Sequence, residues 1–143
     1  MTIAFVFPGQ GSQAVGMGAA LAQAFPAAKT VFDEVDDALD QKLSTLMWEG
    51  PEADLTLTAN AQPALMAVSM AAMRALETEG FALSDKVAYV AGHSLGEYAA
   101  LAAAGALSLA DTARLLKTRG RAMQDAVPVG EGAMAALLGA DLK

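Results

Sequence analysis

The sequence predicts an α/β fold, a parallel sheet with flanking helices. Three observations carry that prediction. Two short apolar runs, "TIAFVFP" and "KVAYVAGHS", are hydrophobic at consecutive positions rather than alternate ones, as strands covered on both faces are. Each run ends in a glycine-containing turn, "PGQG" and "GHSLG". The segments between and after them carry helical periodicity, and alternating strands and helices build parallel sheets.

The first strand holds Ile3, Phe5, Val6 and Phe7 and stops at Pro8-Gly9, before the glycine-rich turn "GQGSQAVGMG". Helices are expected over Leu21–Phe25 and Val31–Leu46, separated by Pro26. Asp33, Glu34, Asp36 and Asp37 cluster early in the second, where the helix dipole favours acids. A loop containing Gly50-Pro51 follows, and Asn60 is the candidate cap of the next helix. That helix runs to about Glu79 with Ala61, Leu65, Val68, Ala72 and Leu76 on one face, and Gly80 ends it. The second strand carries Val87, Tyr89 and Val90 and leads into a helix over Leu95–Ala103. Ser108 and Asp111 resemble the start of the last helix, Leu109–Val127, which ends near Pro128. Met134–Leu138 is a weaker third strand.

Composition narrows the function. At 143 residues the chain is about one domain long, and 55% hydrophobic residues supply a core and argue against disorder. A formal net charge of −7 argues against nucleic acid as a partner. With no cysteine and one histidine, disulfide frameworks and nearly all zinc or iron sites are excluded. The opening residues do not read as a signal peptide, and the longest apolar stretch, Ala99 to Ala110, is too short to span a bilayer, so the expected compartment is the cytoplasm, with no membrane partner. Three strands make a thin sheet for so apolar a chain. The expectation is therefore the first half of a larger protein, with a compact complete domain as the competing view.

Gly92-His93-Ser94-Leu95-Gly96 matches the Gly-x-Ser-x-Gly elbow, with a strand before it and a helix after it, the context that motif requires. Ser94 would then be a nucleophile at the helix N-terminus, and the Leu95 N–H the first donor to an oxyanion. The plain alternative is that Ser94 only caps the helix. A serine hydroxyl needs a base. His93 is adjacent, but a sharp turn directs its side chain away from that of Ser94, so it reads as a neighbouring residue and not the base. Asp111 and Glu97 replace an imidazole poorly.

Gly9-Gln10-Gly11 with Ala14 imitates a dinucleotide fingerprint, but Pro8 breaks the strand before it and no acid follows on a second strand. The ends of parallel strands gather at one crevice, so Pro8–Gln13 would neighbour the elbow, with Gln10 as a second oxyanion donor or simply part of a turn. On the last helix Leu109, Ala113, Leu116, Gly120, Met123 and Val127 form one stripe, with Arg114, Lys117 and Arg121 on the far side toward water. Arg119 lies at the stripe's edge. It either reaches solvent or an acid, or serves as a fork for a carboxylate ligand.

Four segments, "FPGQGSQ" (Phe7 to Gln13), "NAQPAL" (Asn60 to Leu65), "GHSLGEYAAL" (Gly92 to Leu101) and "TRGRAMQ" (Thr118 to Gln124), resemble in order and spacing the malonyl-CoA:acyl carrier protein transacylases of bacterial fatty-acid synthesis and the related acyltransferase domains of polyketide synthases. The resemblance implies that Ser94 carries the acyl group as an ester, that Gln10 and the backbone of Leu95 form the oxyanion hole, and that Arg119 grips the malonate carboxylate. It implies that Gln62 lines the same pocket and that His93 sits beside the nucleophile without acting as base. Leu95 is similar to the residue of malonyl-selective members, where methylmalonyl-selective domains tend to carry glutamine. The implied partners are malonyl-CoA, an acyl carrier protein and the C-terminal half of the same protein; no cofactor is implied beyond the CoA of the substrate. Family members are about twice as long, with the catalytic histidine downstream. Residues 1–130 then correspond to the N-terminal part of the acyltransferase core, and 131–143 to a linker and the first strand of an inserted ferredoxin-like subdomain. The competing functions are a serine hydrolase or thioesterase with the same elbow, and a non-enzymatic α/β scaffold.

Overall fold

The structure, a computed structural model, describes residues 2–128, 130–132 and 139. The elements are β1 (Ala4–Phe7), α1 (Ala19–Ala24), α2 (Pro26–Leu39), α3 (Leu43–Glu49), α4 (Glu52–Thr56), α5 (Thr58–Thr78), α6 (Leu83–Lys86), β2 (Tyr89–Gly92), α7 (Leu95–Ala103) and α8 (Leu109–Ala126). The mixed α/β class expected from the sequence holds, with helices predominating over a small parallel sheet. β1 and β2 pair in parallel, Ala4 opposite Tyr89 through Phe7 opposite Gly92. The ladder extends past both ends through Ala88 N–H to Ile3 C=O, 2.9 Å, and His93 N–H to Phe7 C=O, 3.2 Å. The third strand expected at Met134–Leu138 lies outside the described residues, as does most of the 131–143 segment.

Among the described residues the sheet is covered on one face only, and here the expectation of strands buried on both sides is corrected. Phe7 is buried, and Phe5 and Val90 pack against the core, while Ala4, Val6, Tyr89 and Ala91 face outward. Val6 keeps 74% and Tyr89 68% of their surfaces exposed. α7 packs on both strands and on α5 and α8.

α5 is the centre of the helical layer, touching α1, α2, α3, α4, α7 and α8. Its first half is buried all round, Ala61 through Ala67 without a gap, so the single apolar face expected from periodicity holds only at its Ala61–Leu65 end. Leu76, assigned to that face, is 40% exposed, because neighbours no longer surround the helix there. Gly80, at φ +82°, follows its last turn as expected. α5 begins at Thr58, so Asn60 is inside it and not its cap; the Asn60 amide donates back to the Asp54 carbonyl, 2.9 Å.

The expected helix over Val31–Leu46 is two helices. α2 starts at Pro26, which suits a first helical position, and stops where Asp40 turns left-handed at φ 47°. The acidic cluster therefore sits in the middle and end of α2 rather than in its first turn. Asp36 has a task unrelated to the dipole. It is buried, and its two carboxylate oxygens accept from the Ser44 N–H at 2.8 Å and the Ser44 hydroxyl at 2.7 Å, tying α2 to the first turn of α3. Phe32 meets Trp48 of α3 edge to face, with ring centroids 5.6 Å apart. The remaining boundaries agree closely: α7 spans the expected residues, and α8 opens with the Ser108 hydroxyl accepting from the Asp111 N–H at 3.0 Å.

Asp36→Ala leaves the Ser44 N–H buried without its acceptor, a loss of about 1–3 kcal/mol. Urea unfolding followed by circular dichroism should show that drop, and a loss below about 0.3 kcal/mol would mean the α2–α3 tie contributes nothing.

Candidate active site

The turn between β2 and α7 is built by backbone packed on backbone. A Cβ at Gly92 would overlap the peptide carbonyl of Gly96 and the N–H of Glu97. A Cβ at Gly96 would overlap the Phe7 carbonyl oxygen and come within 2.8 Å of that of Pro8. Both glycines are thus required by close approach, as the motif anticipates. Between them Ser94 adopts φ 54° and ψ −116°, a region that L side chains rarely occupy. The side chain makes no capping hydrogen bond to α7, which removes the reading of Ser94 as a plain helix cap. Instead the residue is exposed, and its hydroxyl oxygen accepts from Arg119 Nη2 at 3.1 Å.

Arg119 comes from α8. Its other guanidinium nitrogen, Nη1, donates to Gln62 Oε1 at 2.7 Å, and its Cζ stands 5.8 Å from the centre of the Tyr98 ring. Gln62 is 1% exposed, and its Nε2 donates to the Met123 sulfur at 3.3 Å. Both ends of that buried amide are therefore engaged, which fixes its orientation. No carboxylate pairs with Arg119 among the described residues. The guanidinium faces a neutral amide, a hydroxyl and an aromatic ring, which leaves its positive charge available to an anionic ligand.

The first glycine-rich loop abuts the elbow. A Cβ at Gly9 would run into the His93 imidazole at Nδ1 and come within 3.2 Å of its carbonyl oxygen. His93 is thus exposed and lies against Gly9. Its ring makes no hydrogen bond to Ser94 among the described residues. The Gln10 side chain donates to the Thr58 hydroxyl at 3.3 Å, tying the loop to the first residue of α5. The backbone N–H groups of Gln10 and Leu95 find no acceptor among the described residues. Leu95 itself is buried in the core, anchoring the start of α7. Ser94, Arg119 and Gln62 are thus joined by direct hydrogen bonds, with Gln10, His93 and Leu95 in the adjoining loop and turn.

Tyr98, Thr58 and Met123 were missed as site residues. Tyr98 gave no signal, because Ser94 stands before α7 with a non-helical backbone and helical spacing from it sets no common face. Lys117, assigned to water, is half-buried. Its Nζ donates to Gln41 Oε1 at 2.6 Å and Asn60 Oδ1 at 2.7 Å. Burial, followed by the positive charge of Arg121, pushes its pKa below the ordinary lysine value. No described helix is long and apolar enough to cross a membrane, and no group of three or more metal-ligating side chains is found among the described residues.

A family model described as an acyl transferase domain matches residues 4–141. The chain belongs to this family. It is 54% identical over 139 residues to the malonyl CoA-acyl carrier protein transacylase of Bacillus subtilis, covering 97% of this chain and 43% of that protein. It is similar to the solved acyl-carrier-protein-S-malonyltransferase of Bartonella henselae at 65% identity and a TM-score of 0.93, covering 99% of this chain and 45% of that one. A malonyl-transacylase solved in complex with its type II polyketide acyl-carrier protein matches at 45% identity and a TM-score of 0.83, over 90% of this chain and 40% of that one. The chain thus spans less than half the length of the acyl transferases it matches.

The backbone at Ser94 stores strain that glycine would relieve, at a cost of about 1–3 kcal/mol to the wild-type residue. Ser94→Gly should therefore unfold at higher denaturant than Ser94→Ala, which keeps the Cβ. Equal midpoints in urea titrations of the two variants would show that the turn is unstrained.

Proposed function

We propose that the whole protein transfers a malonyl group from malonyl-CoA to the phosphopantetheine thiol of an acyl carrier protein through an ester on Ser94. The observation that carries this reading is the Arg119 guanidinium, set between Ser94 Oγ at 3.1 Å and the buried Gln62 amide at 2.7 Å. A receptor for a carboxylate directly beside a nucleophile suits an acyl group with an anionic end. A hydrolase or thioesterase acting on uncharged acyl groups gives that guanidinium no ligand. The names of the matched transacylases and the solved complex with a carrier protein support the same donor and acceptor.

In the proposed reaction a base takes the Ser94 proton as Oγ attacks the thioester carbonyl. The base comes from beyond the described residues, as the downstream histidine of the family would; His93 remains a neighbour of the nucleophile. The N–H groups of Leu95 and Gln10 receive the charge that develops on the carbonyl oxygen. The carbon–sulfur bond breaks, CoA thiol leaves with a proton, and malonate remains on Ser94. Arg119 then exchanges its hydrogen bond to Oγ for the malonate carboxylate, while Gln62 keeps the guanidinium in place. Attack by the carrier's thiol returns the serine. The reading needs no cofactor beyond the CoA of the substrate and assigns the reaction to the cytoplasm.

Arg119→Ala should lower kcat/KM for malonyl transfer by about 100-fold or more, while acetyl transfer, which has no carboxylate to lose, changes far less. Equal losses for both acyl groups would sink the assignment. Ser94→Ala should abolish the acyl-enzyme seen by intact mass; a malonyl adduct persisting on that variant would point to another nucleophile.

A further inference from the structure

Lys117 is a site-adjacent cation whose sequence position misleads. Helical periodicity groups it with Arg114 and Arg121, yet its ammonium lies on two amide oxygens from two different elements. Gln41 belongs to the turn between α2 and α3, and Asn60 to the first turn of α5. Gln41 Nε2 also donates to Asn60 Oδ1 at 3.2 Å, and Asn60 Nδ2 to the Asp54 carbonyl, so both acceptors are themselves held.

The arrangement has a regularity. Lys117 bonds Asn60 and Arg119 bonds Gln62, two residues further along each helix. Two residues correspond to about 200° around a helix, so the two pairs lie on opposite flanks of the α5–α8 seam. Gln124, seven residues after Lys117 and so on its flank, accepts from the Ala59 N–H at 3.1 Å. Met123 shares the flank of Arg119. At the seam itself stands Gly120, where a Cβ would lie 2.6 Å from Ala59 Cα and 2.7 Å from the Thr58 carbonyl oxygen. Helices touching through a glycine have no side chain interlocked at that point to resist rotation of one against the other. Leu116 and Ala113, buried in the core one and two turns earlier, resist it there; at Gly120 the flanks must.

We propose that Lys117 is a positioning residue for Arg119: it braces α8 against α5 from the flank opposite the active site and so fixes where the guanidinium stands relative to Ser94. Side-chain ends lie about 5–6 Å from a helix axis, so a roll of about 10° displaces them by about 1 Å. A misplacement of about 1 Å can cost roughly 100-fold in rate. The consequence for malonyl selectivity rests on the function proposed above; the consequence for the position of Arg119 does not.

The test uses Lys117→Met, Lys117→Arg and Gln41→Ala, the last removing only one acceptor in case the first does not fold. The Nε–Hε resonance of Arg119, assigned by its loss in Arg119→Ala, should shift in Lys117→Met and Gln41→Ala and return toward its wild-type position in Lys117→Arg, which restores the donors. A resonance that stays in place in folded Lys117→Met or Gln41→Ala overturns the proposal whatever the protein's activity. In the whole protein, Lys117→Met should raise KM for malonyl-CoA about tenfold and leave acetyl loading within about twofold. Where the wild-type protein prefers malonyl, equal loss of malonyl and acetyl loading in Lys117→Met would overturn it as a general structural defect. If the wild-type protein itself shows no malonyl preference, a resonance shifted in Lys117→Met upholds the positioning role and refutes the proposed substrate instead.

Discussion

The close approach of α7 to β1 and β2 is the constraint on which the site depends. Two glycines let peptide groups pack where side chains normally intervene, and the chain has so little room to turn between them that Ser94 is driven to positive φ. That conformation directs the hydroxyl outward, away from the amide groups a capping serine would satisfy. The same approach brings the end of β1 against the elbow, so the loop carrying Gln10 reaches His93 through Gly9. Backbone proximity, strain and exposure of the nucleophile are one event.

The other half of the site depends on α5. Its residues Ala61 to Ala67 are buried, Thr58 and Asn60 before them are partly buried, and their polar side chains find partners. Thr58 takes the Gln10 amide, Asn60 takes Lys117 and Gln62 takes Arg119. Two elements distant in sequence, the first glycine-rich loop and α8, are thereby referred to a single short stretch of helix. Pro63 follows directly in that stretch, among Ala61, Ala64 and Ala67, whose small side chains allow α8 and α7 to come near. Among these contacts the one on Gln62 is the most costly to break, because that buried amide has no water to turn to.

Much of this was legible from residue order alone. Ser94 and its flanking glycines are local, and so is the Ser108 cap three residues before Asp111. Arg119 could be singled out because periodicity sets it at the edge of an apolar stripe. What local reasoning lacked was the second neighbour. α8 packs on α2 as well as α5, so Lys117, far from the stripe that periodicity identifies, still meets Gln41 and Asn60. The break in the Val31–Leu46 helix depends on Asp36 reaching Ser44 eight residues on, a bond that no propensity announces. Tyr98 reads as one more apolar residue of α7 until a guanidinium arrives over its ring from α8.

The outward face of the sheet, with Val6 and Tyr89 mostly in water, sets how the isolated chain behaves in a tube. Bare aliphatic and aromatic surface beside strands whose outer margins are unpaired among the described residues is the kind of template on which chains stack into aggregates. Handling it will be governed by protein concentration and by salts such as sulfate that strengthen apolar association. The net negative charge supplies long-range repulsion at low ionic strength and weakens as the Debye length shortens.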